Sequence, residues 1–393
     1  MANDLLAMAK SMEPQLITDR RYFHENPELS FCEHKTMEYI CNRLRSLGIT
    51  FQDGIAGTGV LAEVKGAKEG KCLLIRADMD ALPITEKNEV SYGSKNDGVM
   101  HACGHDVHTA ILLSTCELLF QLRHNFSGTV KFAFQPGEET TGGAKPMIDA
   151  GILENPKVDA CIALHVDPDL PTGSIRIKPG PAYASPDDFY ITVKGKGGHA
   201  AEPHHAIDPI VIAAEIITQL QGIVERNNDA FPSAVVTVGS VHAGEATNVI
   251  PDIAELTGTA RSLDNKTRAM LEEKIEAVVK TVCDVHGAEY KYYFDKLFPP
   301  LENNEMVSDL IAKSASRCIG EDNCIVGGLP TMAGEDFSYF SQAVPSALFK
   351  LGCRNEEKGI TAPIHNSYFN IDEASMAYGV AIFSDFALHF LEG

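Results

Sequence analysis

The sequence predicts an α/β fold: a mixed, largely parallel sheet in one domain, with a second, α+β domain inserted into it. In the first part of the chain, short β-rich runs alternate with helical segments, which favours a parallel sheet covered on both faces. The middle of the chain has the order βαββαβ, which is typical of a ferredoxin-like sandwich. We therefore expect a discontinuous first domain at 1–182 and 296–393, and an inserted domain at 183–295.

The predicted elements of the first domain begin with an amphipathic helix. Leucine and methionine residues from Leu5 to Leu16 recur at helical spacing. The predicted strands cover residues 60–64, 72–77, 130–134 and 160–164, and a helix is predicted over 109–122.

Three of these strands run into charged or imidazole side chains. The second is followed by Asp78 and Asp80, the third by Glu138 and Glu139, and the fourth by His165. In open α/β sheets, ligands bind beyond the carboxyl ends of the strands. We expect these side chains to meet at one edge of the sheet.

The inserted domain is predicted from alternating strand and helix patterns in the middle of the chain. Strands are expected over 189–194, 235–241, 253–260 and 288–294, and helices over 209–226 and 266–285. The Pro179-Gly180-Pro181 and Phe298-Pro299-Pro300 stretches are candidate hinges. The acidic motif Gly334-Glu335-Asp336 and the residue His365 follow this domain, so the first domain is expected to resume after it.

Composition restricts the partners and the compartment. The chain of 393 residues carries a formal charge of −21, from 33 Lys and Arg against 54 Asp and Glu. This charge argues against nucleic acid and anionic membranes as partners. No window approaches the roughly 18 apolar residues of a membrane span. The first residues, 1–20, lack a signal-peptide core, so a cytoplasmic location is expected. Ten scattered cysteines without a CxxC pair suggest reduced, buried thiols, except for Cys103.

The densest cluster of potential metal ligands is the octapeptide His-Ala-Cys-Gly-His-Asp-Val-His at 101–108. Cys103 and His105 flank a glycine and can converge on one point. A thiol at a helix N-terminus is expected to have a lowered pKa, and the thiolate is the form that binds metal. A nucleophilic cysteine with a histidine base is the alternative.

The pair Glu138-Glu139 allows one carboxylate to bind metal while the other accepts a proton from water. His165 closes a predicted strand at the same sheet edge, and His365 lies near the C-terminus. Together with Cys103, these groups exceed the four ligands that a single zinc ion needs, and they suit two metals that share a bridging group. Asp80 is then placed to orient a ligand histidine.

These motifs resemble those of the metallopeptidase/aminoacylase superfamily, in the branch of hippurate hydrolases, N-acyl-amino-acid deacylases and plant auxin-conjugate hydrolases. The similar segments are Arg-Ala-Asp-Met-Asp-Ala-Leu-Pro-Ile at 76–84, His-Ala-Cys-Gly-His-Asp at 101–106, Phe-Gln-Pro-Gly-Glu-Glu at 134–139, Ala-Leu-His-Val at 163–166, Gly-Lys-Gly-Gly-His-Ala-Ala at 195–201, Ala-Gly-Glu-Asp-Phe at 333–337 and Ile-His-Asn at 364–366. They span nearly the whole chain in the same order as in the superfamily.

The resemblance implies a role for each matching residue. It implies two divalent metal ions held by Cys103, His105, Glu139, His165 and His365, with Glu138 as general base and Asp80 as its supporting acid. It also implies that His199 binds the scissile carbonyl oxygen, that Asn248 and Arg261 hold a substrate carboxylate, and that Gly334 lines the substrate site. The inserted domain would be a lid through which the protein forms a homodimer.

The chain departs from the wider superfamily at two positions. Many peptidase members read His-x-Asp where this chain reads Asp78-Met79-Asp80, and they use a bridging aspartate where Cys103 stands. A thiolate favours softer metals than a carboxylate does. Manganese, zinc, cobalt and nickel all stay open as the metal.

The activity implied by the resemblance is hydrolysis of N-acyl amino acids (N-acetyl, benzoyl or similar) to a carboxylic acid and a free amino acid. A metallo-dipeptidase or carboxypeptidase that acts on unblocked short peptides is the nearest alternative, because both would use the same site. A cysteine hydrolase and a non-catalytic metal-binding protein are the remaining alternatives.

Overall fold

The computed structural model describes residues 2–227 and 233–392. The chain divides into two compact units. The first comprises Met1–Gly180, Glu302–Leu329 and Tyr339–Gly393, and the second comprises Pro181–Leu301 and Pro330–Ser338. The segment Pro330–Ser338 therefore groups with the second unit, although the sequence pattern suggested that it belongs to the first domain. The predicted domain boundaries themselves stay a prediction.

The strands and helices are numbered in chain order. The strands are β1 (Thr50–Ile55), β2 (Gly59–Lys65), β3 (Cys72–Asp78), β4 (Thr129–Gln135), β5 (Ala160–Pro171), β6 (Ile175–Ile177), β7 (Gly180–Tyr183), β8 (Ser185–Lys194), β9 (Gly198–His199), β10 (Ala234–Ala243), β11 (Val249–Ile250), β12 (Ile253–Ser262), β13 (Glu289–Asp295), β14 (Leu301–Asn303), β15 (Cys324–Val326) and β16 (Ser346–Arg354). The α-helices are α1 (Ala2–Ser11), α2 (Glu13–Glu25), α3 (His34–Leu47), α4 (His105–Gln121), α5 (Ala144–Asp149), α6 (Pro209–Asn227), α7 (Asn265–His286), α8 (Glu305–Ile319), α9 (Ser338–Ala343) and α10 (Ser375–Glu392).

The first unit is built on a mixed sheet, and this confirms the predicted fold class. Within the described ranges its eight strands have the order β1-β2-β4-β3-β5-β16-β6-β15. The central pairs β4–β3, β3–β5 and β5–β16 are parallel. All seven side chains of β3 are buried, as expected for a strand covered on both faces. Helices α4 and α10 supply many apolar residues to the core of this unit.

Three details of the first unit differ from the sequence prediction. The N-terminal helix is interrupted at Met12, because Pro14 lies in the first turn of α2 and cannot continue a preceding helix. Helix α4 begins at His105, four residues earlier than predicted, so its polar first turn lies inside the helix. Strand β5 does not end at His165 but runs on to Pro171, because its pairing with β16 continues to that residue.

The second unit has the predicted ferredoxin-like order β8-α6-β10-β12-α7-β13. Its antiparallel sheet has the strand order β10-β12-β8-β13, and the alternating residues Phe189, Ile191 and Val193 of β8 are buried. Both helices pack their apolar faces on this sheet, with Ile216 of α6 and Ile275 of α7 fully buried.

Composition gave two further expectations, that the cysteines are buried thiols and that no segment spans a membrane. All ten cysteines are free thiols, but Cys32 is exposed and Cys324 is only partly buried, so the expectation of buried thiols is wrong for these two. Among the described residues, no helix combines the length and apolar character needed to cross a membrane.

Candidate metal centre

The cluster of potential ligands lies at the place where the sheet changes its winding direction. Strand β3 has β4 on one side and β5 on the other, so the chain crosses over β3 between these two strands. Beyond the pair Arg76↔Ala163, β3 and β5 are no longer paired. A crevice of this kind at the carboxyl ends of parallel strands is the usual ligand site of an open α/β sheet.

Cys103 and His105 converge because Gly104 turns the chain tightly between them. Gly104 has φ of 90° and is the residue that precedes helix α4. A Cβ atom at this position would lie 2.4 Å from Cγ2 of Val166. Both the positive φ and this close approach require glycine. The turn brings the Cys103 thiol and the His105 ring to the same buried pocket.

Asp80 fixes the ring of His105 and the backbone of Glu139. Its Oδ1 lies 3.0 Å from Nδ1 of His105. Its Oδ2 accepts hydrogen bonds from the hydroxyl of Ser30 at 2.7 Å and from the amide of Glu139 at 3.0 Å. These bonds engage both oxygens and hold His105 and Glu139 in place, while the role of Asp80 towards a metal stays a prediction.

His165 points its second nitrogen at the thiol. Its Nδ1 lies 2.7 Å from the carbonyl oxygen of Val166, which makes Nδ1 the donor and leaves Nε2 as the nitrogen with a lone pair. Nε2 lies 3.4 Å from Sγ of Cys103. The two side chains are buried.

Glu139 and His365 approach the same pocket from two other segments. Gly137, with φ of 67°, packs so closely on Phe31 that a Cβ atom would lie 2.5 Å from its ring, and it directs the chain into Glu138 and Glu139. Oε1 of Glu139 lies 3.4 Å from Nε2 of His365 and 3.8 Å from Nε2 of His105.

His365 is held in an unusual backbone conformation. Its φ is 60°, and its amide donates a 2.7 Å hydrogen bond to the carbonyl oxygen of Ala102, next to Cys103. A non-glycine residue in this region is strained and persists only where the surrounding structure holds it. Its side chain is half exposed.

Burial and neighbouring charges set the protonation of these groups. Burial raises the pKa of Cys103 well above its ordinary value, so the lowered pKa expected from the helix terminus is wrong. Burial, with the charge of Lys350, lowers the pKa of His165 well below its usual value. Burial by itself would lower the pKa of His105, but the charges of Asp78 and Cys103 and the bond to Asp80 together outweigh it and raise that pKa. Burial by itself would raise the pKa of Asp80, but the bond to His105 and its charge, together with the bonds from Ser30 and the Glu139 amide, outweigh it and lower that pKa.

The donor atoms fit a cation site. In the part of the chain that the structure describes, Nε2 of His105 and Oε1 of Glu139 are buried without a hydrogen-bond partner. An unpaired buried polar atom is costly, and a coordinated cation would satisfy both. Ligand atoms lie within 4.8 Å of one another in three relevant groups: Cys103 with His105 and His165, Cys103 with Glu139 and His365, and His105 with Glu138 and Glu139.

Comparison with known proteins identifies the family. The model for "Peptidase family M20/M25/M40" matches residues 74–389. This chain belongs to that family. It is therefore a metal-dependent hydrolase, and the resemblance inferred from its motifs is confirmed.

Individual relatives carry different activities in their names. The chain is 40% identical to thermostable carboxypeptidase 2 of Saccharolobus solfataricus, over 97% of this chain and 96% of that protein. It is 38% identical to the N-acetylcysteine deacetylase of Bacillus subtilis, over 98% of each chain. The crystal structure of the Bacillus subtilis YXEP protein, described as a dinuclear metal-binding peptidase of family M20, has a TM-score of 0.86 and 36% identity, over 98% of this chain and 99% of that one.

The sequence prediction missed the charged residues that lie beneath this family site. His108 was counted among the potential ligands, but its two nitrogens bond to Asp78 at 2.6 Å and to the amide of Val166 at 3.0 Å. Burial lowers the pKa of His108, despite the nearby Asp78. Arg76 pairs with the other oxygen of Asp78 at 2.7 Å. The alternation of charged and apolar residues at the end of β3 was a signal that could have suggested this buried group.

A second buried network lies behind the first turn of α4. Asp106 accepts hydrogen bonds from Nε of Arg20 at 2.9 Å and from Nδ1 of His24 at 2.8 Å. Nε2 of His24 lies 3.0 Å from Glu86, and Nη1 of Arg20 lies 3.2 Å from Glu373. These bonds fix α2 against the residue that follows His105.

The remaining predicted site residues belong to the second unit. His199 pairs with Val249 between β9 and β11, and its Nδ1 accepts a 3.0 Å bond from the amide of Ala201, so Nε2 carries the proton. The carbonyl oxygen of Asn248 accepts a 3.1 Å bond from the amide of Ala200.

Arg261 and Gly334 are also placed by contacts within the second unit. Nη1 of Arg261 donates to the carbonyl oxygens of Ala260 at 3.1 Å and Asp187 at 3.3 Å. Burial lowers the pKa of Arg261, although the nearby carboxylates oppose this. Gly334 lies against the Pro186 ring, where a Cβ atom would approach Cγ at 2.6 Å.

Proposed function

We propose that this protein hydrolyses the amide bond of N-acyl amino acids and releases a carboxylic acid and a free amino acid. The convergence of a thiol, three imidazoles and a carboxylate on one pocket, with two of their atoms buried and unpaired, carries the proposal. The deacetylase relative supports the class of substrate.

We infer that the pocket would hold two divalent cations, and two groups of side chains could supply their ligands. One group comprises Cys103, His105 and His165, and the other comprises Cys103, Glu139 and His365. When bound, such cations polarise the amide carbonyl and lower the pKa of a water molecule.

Glu138 is the general base in this proposal. It neighbours Glu139 in the chain, and one of its oxygens lies within 4.8 Å of ligand atoms of His105 and Glu139. A carboxylate beside the ligands accepts the proton of the attacking water and returns it to the leaving amine. Asp80 contributes indirectly, by holding His105 and Glu139 in place.

Residues of the second unit bind the substrate in this proposal. His199 donates its Nε2–H to the scissile carbonyl oxygen as negative charge develops there. The guanidinium of Arg261 and the amide of Asn248 hold the substrate carboxylate, for which a guanidinium is the geometrically matched partner. Gly334 lines the substrate site in this proposal, and the second unit joins two copies in a homodimer.

The second candidate is a metallo-carboxypeptidase that acts on short unblocked peptides. The 40% identity to a protein named a carboxypeptidase favours it. The two activities differ in whether the substrate amine is acylated, and the metal pocket does not distinguish them.

The decisive experiment removes the metal with a chelator and reloads the protein with manganese, zinc, cobalt or nickel, one at a time. N-acetyl and N-benzoyl amino acids are compared with unblocked dipeptides, and with N-acyl amino acid amides in which the carboxylate is masked. We expect activity to return only with metal, and only on N-acyl substrates that carry a free carboxylate. Preferred cleavage of dipeptides would establish the second candidate instead.

The same assay also distinguishes the metal-dependent enzyme from a cysteine hydrolase. A cysteine hydrolase would keep its activity after chelation and lose it on thiol alkylation. Full activity of the metal-free protein would overturn the metal mechanism.

A further inference from the structure

Strands β3 and β5 separate before β5 ends. These strands pair from Leu73↔Ala160 to Arg76↔Ala163, but β5 continues to Pro171 along β16. Beyond Ala163 the side of β5 that faced β3 has lost its backbone partners. Buried amides need an acceptor, so this edge must be satisfied in another way.

His108 supplies that acceptor at Val166. The amide of Val166 donates a 3.0 Å hydrogen bond to Nε2 of the His108 ring. Because a backbone amide can only donate, Nε2 must be the unprotonated nitrogen. The proton therefore lies on Nδ1, which is 2.6 Å from Oδ1 of Asp78.

Asp78 is itself fixed from the other side. Its Oδ2 accepts a 2.7 Å bond from Nη1 of Arg76, and Nε of Arg76 donates to Oε1 of Gln135 at 2.9 Å. Arg76, Asp78 and His108 are buried. The tautomer and orientation of His108 are thus determined by a chain of charged and polar groups.

Val166, the residue whose amide His108 holds, also contacts the metal pocket through its carbonyl, which lies in the following peptide group. The carbonyl of Val166 accepts the bond from Nδ1 of His165, and Nε2 of His165 then faces Cys103. We propose that His108 is a positioning residue: by holding the amide of Val166, it fixes the position of that residue, whose carbonyl in the following peptide group orients His165 towards the metal pocket. This step rests on the proposed function in so far as His165 is taken to bind metal.

Two amide substitutions separate the two bonds of His108. In His108→Gln the side-chain oxygen can reach the place of Nε2 and accept from Val166. In His108→Asn the shorter amide can only take the place of Nδ1 and donate to Asp78. We expect His108→Asn to bind cobalt about 10–100-fold more weakly and to alter the thiolate-to-cobalt absorption band. We expect His108→Gln to keep the wild-type affinity and band.

Thermal unfolding of the metal-free variants provides the control for folding. Equal affinities in both variants and the wild type, or a weaker affinity in the Gln variant than in the Asn variant, would overturn the proposal.

The tautomers of the two histidines can be measured in the metal-free wild-type protein, which requires neither a bound metal nor a folded variant. Nitrogen NMR of the metal-free wild-type protein, with labelled histidine, should show His108 and His165 both protonated at Nδ1. Protonation of His108 at Nε2 would refute the bond to Val166. If the tautomers are as expected but His165→Ala binds cobalt as the wild type does, the proposed metal centre fails while the positioning of His165 stands.

Discussion

Asp80 and His105 are joined by a 3.0 Å bond between Oδ1 and Nδ1, which leaves Nε2 of the histidine directed at the pocket. The same carboxylate holds the amide of Glu139. One side chain therefore orients two of the predicted ligands, which come from segments of the chain that are far apart.

Asp80→Ala removes the acceptor that orients His105. We expect metal affinity to fall about 10–100-fold, as is typical when a partner of a ligand histidine is lost. Titration calorimetry with one divalent metal measures this change. In the matched variant Asp80→Asn one oxygen can still accept from His105, so its loss should be smaller. Equal affinities for all three proteins would contradict the role given to Asp80.

Glu138→Gln keeps the shape of the general base but removes its ability to accept a proton. We expect kcat to fall by about 10²–10⁴-fold while two metal ions per chain remain bound. The rate is measured on an N-acyl amino acid, and the metal content by elemental analysis. The exposed carboxylate of Glu357 offers the matched control, Glu357→Gln, which should behave as the wild type. A normal rate in Glu138→Gln would refute the base assignment.

Gly104→Ala should destabilise the fold as well as the site. The positive φ costs a residue with a Cβ roughly 1–2 kcal/mol, and the clash with Val166 adds about 1–3 kcal/mol. Gly151→Ala is the control, because Gly151 has φ of 88° but a Cβ atom there would meet nothing within 4 Å. Urea unfolding should show a clearly larger decrease in the free energy of unfolding for Gly104→Ala than for Gly151→Ala. An equal decrease in both variants would mean that the clash with Val166 contributes nothing to the free energy of unfolding.

The buried side chain of His24 should make the thermal stability of the protein depend on pH. Burial and Arg20 lower its pKa, but the bonds to Asp106 and Glu86 together with the charge of Asp106 outweigh them, so the net pKa is raised above the ordinary value of 6.5. Because the pKa is raised, the charged ring contributes its full stabilisation of the folded protein below about pH 6.5. This stabilisation is lost as the pH rises through the folded-state pKa. The Tm difference between wild type and His24→Gln should shrink over that range.

The exposed His124 provides the control for this measurement. His124→Gln should leave the dependence of Tm on pH unchanged. A Tm difference for His24→Gln that grows with rising pH would show that His24 is neutral in the folded protein.

The sequence predicted most of the fold and the side chains that gather in the candidate metal pocket, because both can be seen in local patterns. The strands that carry or precede Asp80, Glu139 and His165 could be seen from short apolar runs followed by polar residues. The order βαββαβ of the second unit could be seen from alternating periodicities. The break at Pro14 shows that a helical spacing alone does not reveal where a helix stops.

What the sequence did not predict depends on contacts between distant segments. The bond from Val166 to His108 exists because β3 and β5 part after Ala163, and no local pattern records where two strands cease to pair. The pairing of Arg20 with Asp106 joins residues 86 positions apart. The raised pKa of Cys103 follows from burial, which outweighs any effect of the helix terminus.

The half-exposed ring of His365 has a consequence for how the proposed two-metal centre would fill and empty. The other imidazoles of the cluster are enclosed, whereas this one borders water and is carried on a strained backbone. In that centre, an ion entering from solution would meet His365 and Glu139 before the deeper donors. The outer position should therefore exchange faster than the inner one, and dialysis against a weak chelator would empty the two positions in sequence.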